Sequence, residues 1–179
     1  MKLLTTFAAA AVASLGVAAL ASADTYTITI TNTLEDELLA PVLVTDVAND
    51  DAIFTMGYVT DAAEHQILTG DPVELVSAIG ENYTTVAHGM DGPPGVLLAP
   101  GKSIEFDVTT DARALRILAM VAPTKVGDNY VSTIVDVAGH DSMMALAGDL
   151  SRFDIGHDEG TMMDTFLSVG GATYSIVKM

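Results

Sequence analysis

The stretch Thr25-Tyr-Thr-Ile-Thr-Ile-Thr31 alternates without a break. Tyr26, Ile28 and Ile30 share one face and the threonines the other. A two-residue period cannot keep one face of a helix apolar, so this segment is a strand with one buried and one solvated side. A sheet with one wet face is antiparallel far more readily than parallel, because parallel strands need covering on both sides. The rest of the chain must therefore supply antiparallel partners.

It does. Leu38-Leu-Ala-Pro-Val-Leu-Val-Thr45 reads as a second strand, in which Pro41 marks an edge or a bulge. Ser103–Thr109 alternates again, with Ile104, Phe106 and Val108 facing inward. Ala114–Ala122 is continuously apolar, the pattern of a central strand, and Tyr130–Val137 and Phe166–Val177 make two more. The stretch Met143–Ala147 fits either a helical turn or a loop. Two short helices follow the second strand. Asp61 is placed to cap the first, with Glu64 three residues on and Gly70 as its stop; Asp71 is placed to cap the second, with Pro72, Glu74 and Gly80 in the matching positions. "GPPG" at 92–95 and "APG" at 99–101 are turns. The sum is a mostly-β single domain, a sandwich with a short helical insertion after the second strand.

Residues 1–23 stand apart. Lys2 is followed by an Ala-, Val- and Leu-rich run closing on Ala21-Ser-Ala23, a small-x-small cleavage pattern. We read this as a secretory signal peptide, leaving 24–179 as the folded domain. A membrane anchor is the competing reading, but the run is Ala-rich and a polar-faced strand begins directly after it. The chain is thus expected to be secreted, extracellular or periplasmic, with no transmembrane segment. It has no cysteine, so an exported chain of this kind holds together through its core, bound ions, or both.

A formal net charge of −17 disfavours nucleic acid and anionic membranes as partners and favours cations. Catalytic templates are absent: there is no Cys nucleophile, G-x-S-x-G, H-E-x-x-H, phosphate-binding loop or dinucleotide fingerprint. His65, His88, His140 and His157 lack zinc-type spacing. Asn82-Tyr-Thr84 fits the N-glycosylation triplet, a short pattern that arises often by chance and that we discount beside a bacterial-looking leader.

Two oxygen-rich loops remain, Lys125-Val-Gly-Asp-Asn-Tyr130 and Phe153-Asp-Ile-Gly-His-Asp-Glu-Gly160. Calcium takes six to eight oxygens in loose geometry, and aspartates next to glycines supply oxygens and tight turns together. The spacing Asp154-x-Gly-x-Asp158 is not that of an EF-hand. By residue type alone the second loop is a metal site, a carboxylate pair such as Asp154 and Glu159 for acid–base hydrolysis, or a solvated turn.

Ala119-Met-Val-Ala-Pro-Thr124 followed by Asp128-Asn-Tyr-Val131 resembles the signature of the spondin amino-terminal domain family. In that family a strand ending Ser-Met-x-x-Pro-Ser/Thr leads into an Asp-x-Phe-Val loop. Phe153–Asp158 is similar to the family's later Tyr-Asp-Ala-Gly-Thr-Glu/Asp segment. The opening strand before Leu39-Ala-Pro-Val42, Phe54-x-x-Gly57 ahead of one helix, and Gly70-Asp71 ahead of the next fall in the family's order. Tyr130, Ser132 and His157 stand where the family has Phe, Gly and Thr. The resemblance implies a C2-like antiparallel β-sandwich that is not an enzyme. It implies a calcium ion held by Asp128, Asp154 and Asp158, with Glu159 beside them, and a role in adhesion or matrix association with an extracellular protein or glycan.

Overall fold

The computed structural model describes residues 23–80, 84–122 and 127–179. Residues 1–22 of the signal peptide, Asn82 and Tyr83 of the glycosylation triplet, and 123–126, with the first two residues of the first acidic loop, lie outside them. Among the described residues no helix is long and apolar enough to cross a membrane.

The alternating stretch forms β1 (Asp24–Asn32), with Tyr26, Ile28 and Ile30 buried. Its threonines face water and bond across to β7 (Ser103–Thr110): Thr27 donates to Asp107 at 2.8 Å, and Thr31 meets the Ser103 hydroxyl at 2.7 Å. β1 lies between β7 and β11 (Thr165–Lys178), antiparallel to both.

The second predicted strand is split in two, β2 (Leu38–Leu39) and β3 (Val42–Asp46). Both pair with β8 (Ala114–Ala122), but Leu39 faces Val121 while Leu43 faces Leu118. One extra residue therefore sits on the Leu39–Leu43 side. That is the bulge Pro41 demands, since proline has no N–H to give the ladder.

Next come a 3-10 turn (Val47–Ala52), a small hairpin of β4 (Phe54–Thr55) and β5 (Tyr58–Val59), then α1 (Asp61–Thr69) and α2 (Val73–Ile79). The cap of α1 differs from the sequence expectation. Thr60, not Asp61, is the capping residue: its hydroxyl accepts from Ala63 N at 3.3 Å and donates to Ala52 O at 2.6 Å. Asp61 occupies the first turn, where a carboxylate only favours the helix dipole. Gly70 ends α1 in the left-handed region at φ 77°. At α2 the expectation is also off by one: Pro72 stands in the N-cap position and offers no side-chain bond, while Asp71, one residue further out, accepts from Val73 N at 3.0 Å.

The remaining strands are β6 (Thr84–Ala87), β9 (Asn129–Asp136) and β10 (Leu146–Asp154). The order across the sheet is β6-β3-β8-β9-β10-β11-β1-β7. The β10–β11 pair folds it into two layers. Leu146–Leu150 pairs with Ala172–Ile176, the register shifts after Leu150 and again after Arg152, and Ser151–Asp154 then pairs with β9 as well. Ile28 and Ile30 of one layer and Val44, Ile117, Ala119 and Val121 of the other are fully buried in the core between them. A second core lies on the outer side of β3, β8 and β9. There Leu43, Leu118 and Tyr130 pack with Ile53, Ala63, Ile67 and Leu75 from the helical insertion. β8 is thus covered on both sides, which is why its sequence is continuously apolar.

Removing the Thr60 hydroxyl by Thr60→Ala should lower stability by about 1 kcal/mol in urea unfolding. Asp61→Ala should stay within about 0.5 kcal/mol; the reverse order would contradict the assigned cap.

Candidate metal centre

β9 begins and β10 ends side by side: Asn129 and Asp154 are register partners. This brings the two acidic loops, distant in sequence, to one end of the sheet. Asp128 sits just ahead of β9 and is 1 % exposed. Its backbone carbonyl accepts from Ile155 N at 3.2 Å, pinning the start of the second loop.

Asp128 Oδ2 accepts from the backbone N–H groups of His157 (3.1 Å) and Asp158 (3.2 Å). Asp154 Oδ1 accepts from Gly156 N at 2.6 Å. Gly156 is required: its φ is +65°, and a Cβ there would collide with the Thr161 hydroxyl. The carbonyl of Gly156 accepts from Thr161 N and Met162 N, so the loop closes on itself.

Carboxylates of Asp128, Asp154, Asp158 and Glu159 offer oxygens that all lie within 4.8 Å of one another. All four residues singled out in the sequence converge. Two oxygens on opposite sides of one calcium ion stand at most about 5.2 Å apart, so the cluster has the dimensions of a single hard-cation site. The donor set is oxygen only, which suits a hard cation such as magnesium, calcium or manganese rather than a softer metal. His157 is not a member. Its ring turns away, with Nδ1 2.8 Å from Glu64 Oε1 on α1, and only its backbone serves the loop.

Three residues that the sequence reading left unassigned organise the cluster. Asn129 Nδ2 donates to both Asp128 Oδ1 (3.2 Å) and Asp154 Oδ2 (3.0 Å), bridging the two loops. Arg152 Nε donates to Asn129 Oδ1 at 2.7 Å and so fixes which way the amide points. Glu37 holds the Arg152 guanidinium through two bonds of 2.6 and 3.0 Å. A usable signal was the scarcity of cations: with seven Lys and Arg against 24 acids, an arginine beside an acidic loop is placed, not incidental.

The charges are crowded. A hydrogen bond to Asp158, reinforced by the charges of Asp158 and Asp154, holds the Glu159 carboxyl above its ordinary range. Glu159 is exposed, so its shift comes first from its acidic neighbour and not from the apolar pocket a general acid would use.

Asn129→Ala should cost about 1–3 kcal/mol in urea unfolding, because it strips Asp128, Asp154 and Arg152 of a shared, buried partner. A cost below about 0.5 kcal/mol would show that the bridge contributes nothing.

No protein-family model matches the chain, and no curated protein matches it.

Proposed function

We propose that the protein is a secreted, non-enzymatic, calcium-binding β-sandwich acting in adhesion or in association with an extracellular matrix or cell surface. The observation that carries this reading is the convergence of four carboxylates from two separate loops onto a volume the size of one cation. The resemblance to spondin amino-terminal domains, the leader pattern and the strongly acidic composition support it.

Asp128 is the fixed anchor, oriented by two backbone N–H groups. Asp154 is aligned with it through Asn129. Asp158 and Glu159 approach from the solvent side. A bound calcium ion would supply charge neutralisation, and these residues would present their carboxylate oxygens to it and tie the start of β9 to the second loop. Such a tie gives a contacting surface a fixed shape.

Calorimetric titration and thermal melting test the proposal. An ion that binds only the folded state should stabilise it by about 2.7 kcal/mol at a hundredfold excess over Kd. Asp128→Asn and Asp154→Asn should abolish that gain. Absence of both heat and stabilisation at millimolar calcium would sink the metal reading.

The pH dependence has a definite sign. A carboxyl whose proton affinity is raised keeps its proton to higher pH, so that proton competes with the cation. Calcium affinity should fall as pH is lowered toward the carboxylate range, with proton release on binding. Glu159→Gln should flatten this dependence; an unchanged slope would remove Glu159 from the site.

A further inference from the structure

β11 has strands on both sides only from Ala172 onward, where β1 runs beside it. Its opening residues, Thr165–Val169, pair with β10 on one side and, among the described residues, with no strand on the other. From this open edge we infer that the protein pairs with a second copy of itself, strand to strand and antiparallel, about a two-fold axis near Leu167. The inference goes beyond the calcium reading and does not depend on it.

A strand bonded on one side only turns about half of its N–H and C=O groups toward the empty side, and another strand completes that ladder. The side chains do not guard it. All of Thr165–Val169 is exposed, with Phe166 at 55 %, Leu167 at 47 % and Val169 at 70 %. Met162 and Met163, just ahead of the strand, are exposed as well. An apolar run that meets water on both faces and along one edge marks a contact surface.

The other free edges are guarded by charge or by shortness. β7 displays Glu105 and Asp107, and β6 is only Thr84–Ala87. The part of β10 beyond the reach of β9, Leu146–Leu150, carries Asp149. β11 has no charged residue from Thr165 to Val177. One restraint is present: Leu167 is the extra residue of a register shift, and Gly170 and Gly171 fall in the next one. These confine the open run to about 17 Å of strand. A contact of that length falls below the ~800 Å² per partner of a stable interface, so the dimer is weak and concentration-dependent.

Charge selects the occupant. With a formal net charge of −17, most surfaces of two copies repel when they meet, and this neutral strip is where they can touch. Antiparallel pairing also keeps the acids apart. Asp164 precedes the strand, and Asp154 is the register partner of Thr165. About a two-fold axis at Leu167, the two copies of Asp164 stand roughly six strand residues, or about 20 Å, from each other. That is about two Debye lengths at physiological salt, whereas a parallel pairing would set them side by side. A two-fold contact uses the same patch twice, so it closes at two copies and leaves neither edge open.

Sedimentation velocity on the purified protein in chelator, from about 1 µM to about 1 mM, tests this apart from calcium. The expected result is a monomer–dimer equilibrium that tightens as sodium chloride is raised from about 50 to about 500 mM, because the remaining repulsion is screened. Hydrogen exchange compared between the ends of the concentration range should slow at Thr165–Val169. Leu167→Asp and Val169→Asp should each weaken the dimer about tenfold or more. Val73→Asp adds the same charge at an exposed apolar residue of α2 and should leave the dimer unaltered. Melting curves establish that the variants are folded, and either edge variant alone suffices.

The assignment is overturned if the protein is monomeric throughout, if a folded edge variant dimerises undiminished, or if Val73→Asp weakens the dimer as much. Assembly that continues past two copies would also overturn it, because it requires a head-to-tail contact. So would exchange protection confined to another surface, or a dimer that loosens as salt is raised, which would place opposite charges in the interface. The calorimetry above reports separately on the acidic cluster. A monomeric protein that binds calcium therefore strikes only this inference, and a dimer that gives no calcium heat strikes only the metal reading.

Discussion

The whole molecule is hung on one strand that has no wet side. β8 closes the sandwich core with Ile117, Ala119 and Val121 and floors the helical layer with Leu118. Fully burying a side chain of this size contributes about 1.5–3 kcal/mol relative to leaving it exposed. Two cores therefore share a single backbone, and neither layer can shift without disturbing the other. The same strand carries Arg116, whose guanidinium reaches the 3-10 turn through Asp50. It also sets the position of β9, and hence of Asp128, through the pairing of Met120 with Tyr130.

The acidic end of the sheet shows how a chain so poor in cations uses them. Arg152 faces Glu37 and steers Asn129; Arg116 faces Asp50 and steers Ser132. Each guanidinium is neutralised by one carboxylate and uses its remaining N–H groups to orient a neutral side chain. Asp128, Asp154, Asp158 and Glu159 are left to one another, and among the described residues none forms an ion pair. Crowding of like charge of this kind favours uptake of positive charge, and it raises the proton affinity of Glu159 through its neighbour Asp158.

Much of this was legible in the sequence. The two-residue period of Thr25–Thr31 gave β1 and its buried face, and the unbroken run Ala114–Ala122 gave the doubly covered strand. Pro41 announced its bulge. The four clustered carboxylates were named through a family resemblance; residue type alone left the second loop a metal site, a carboxylate pair or a solvated turn. β10 was not legible. The sequence left Met143–Ala147 between helical turn and loop, yet a nine-residue strand starts at Leu146. It contains Gly148, Asp149 and Arg152, residues poor in strand propensity. Their reasons are tertiary: a Cβ at Gly148 would come within 2.8 Å of the Tyr174 hydroxyl, and Arg152 is fixed by Glu37, 115 positions away. The α1 cap was misplaced by one residue because Asp61, with Glu64 three residues on, fits the capping-box spacing, whereas Thr60 has Ala63 there. The bonds of the Thr60 hydroxyl to Ala63 N and Ala52 O decide it.

The acidic cluster is divided in its freedom. Asp128 and Asp154 are held by backbone donors and a bridging amide at the ends of paired strands, whereas Asp158 and Glu159 ride exposed in a loop punctuated by Gly156 and Gly160. Immobilising a long side chain costs about 0.5–1.5 kcal/mol when a ligand is captured. Nearly all of that entropic cost falls on the loop half, since the strand half was ordered when the sheet folded. The affinity for any captured cation is therefore set by how tightly the loop is drawn in. Loop sequence can retune it across a wide concentration range while the buried anchor, and the fold beneath it, stay unchanged.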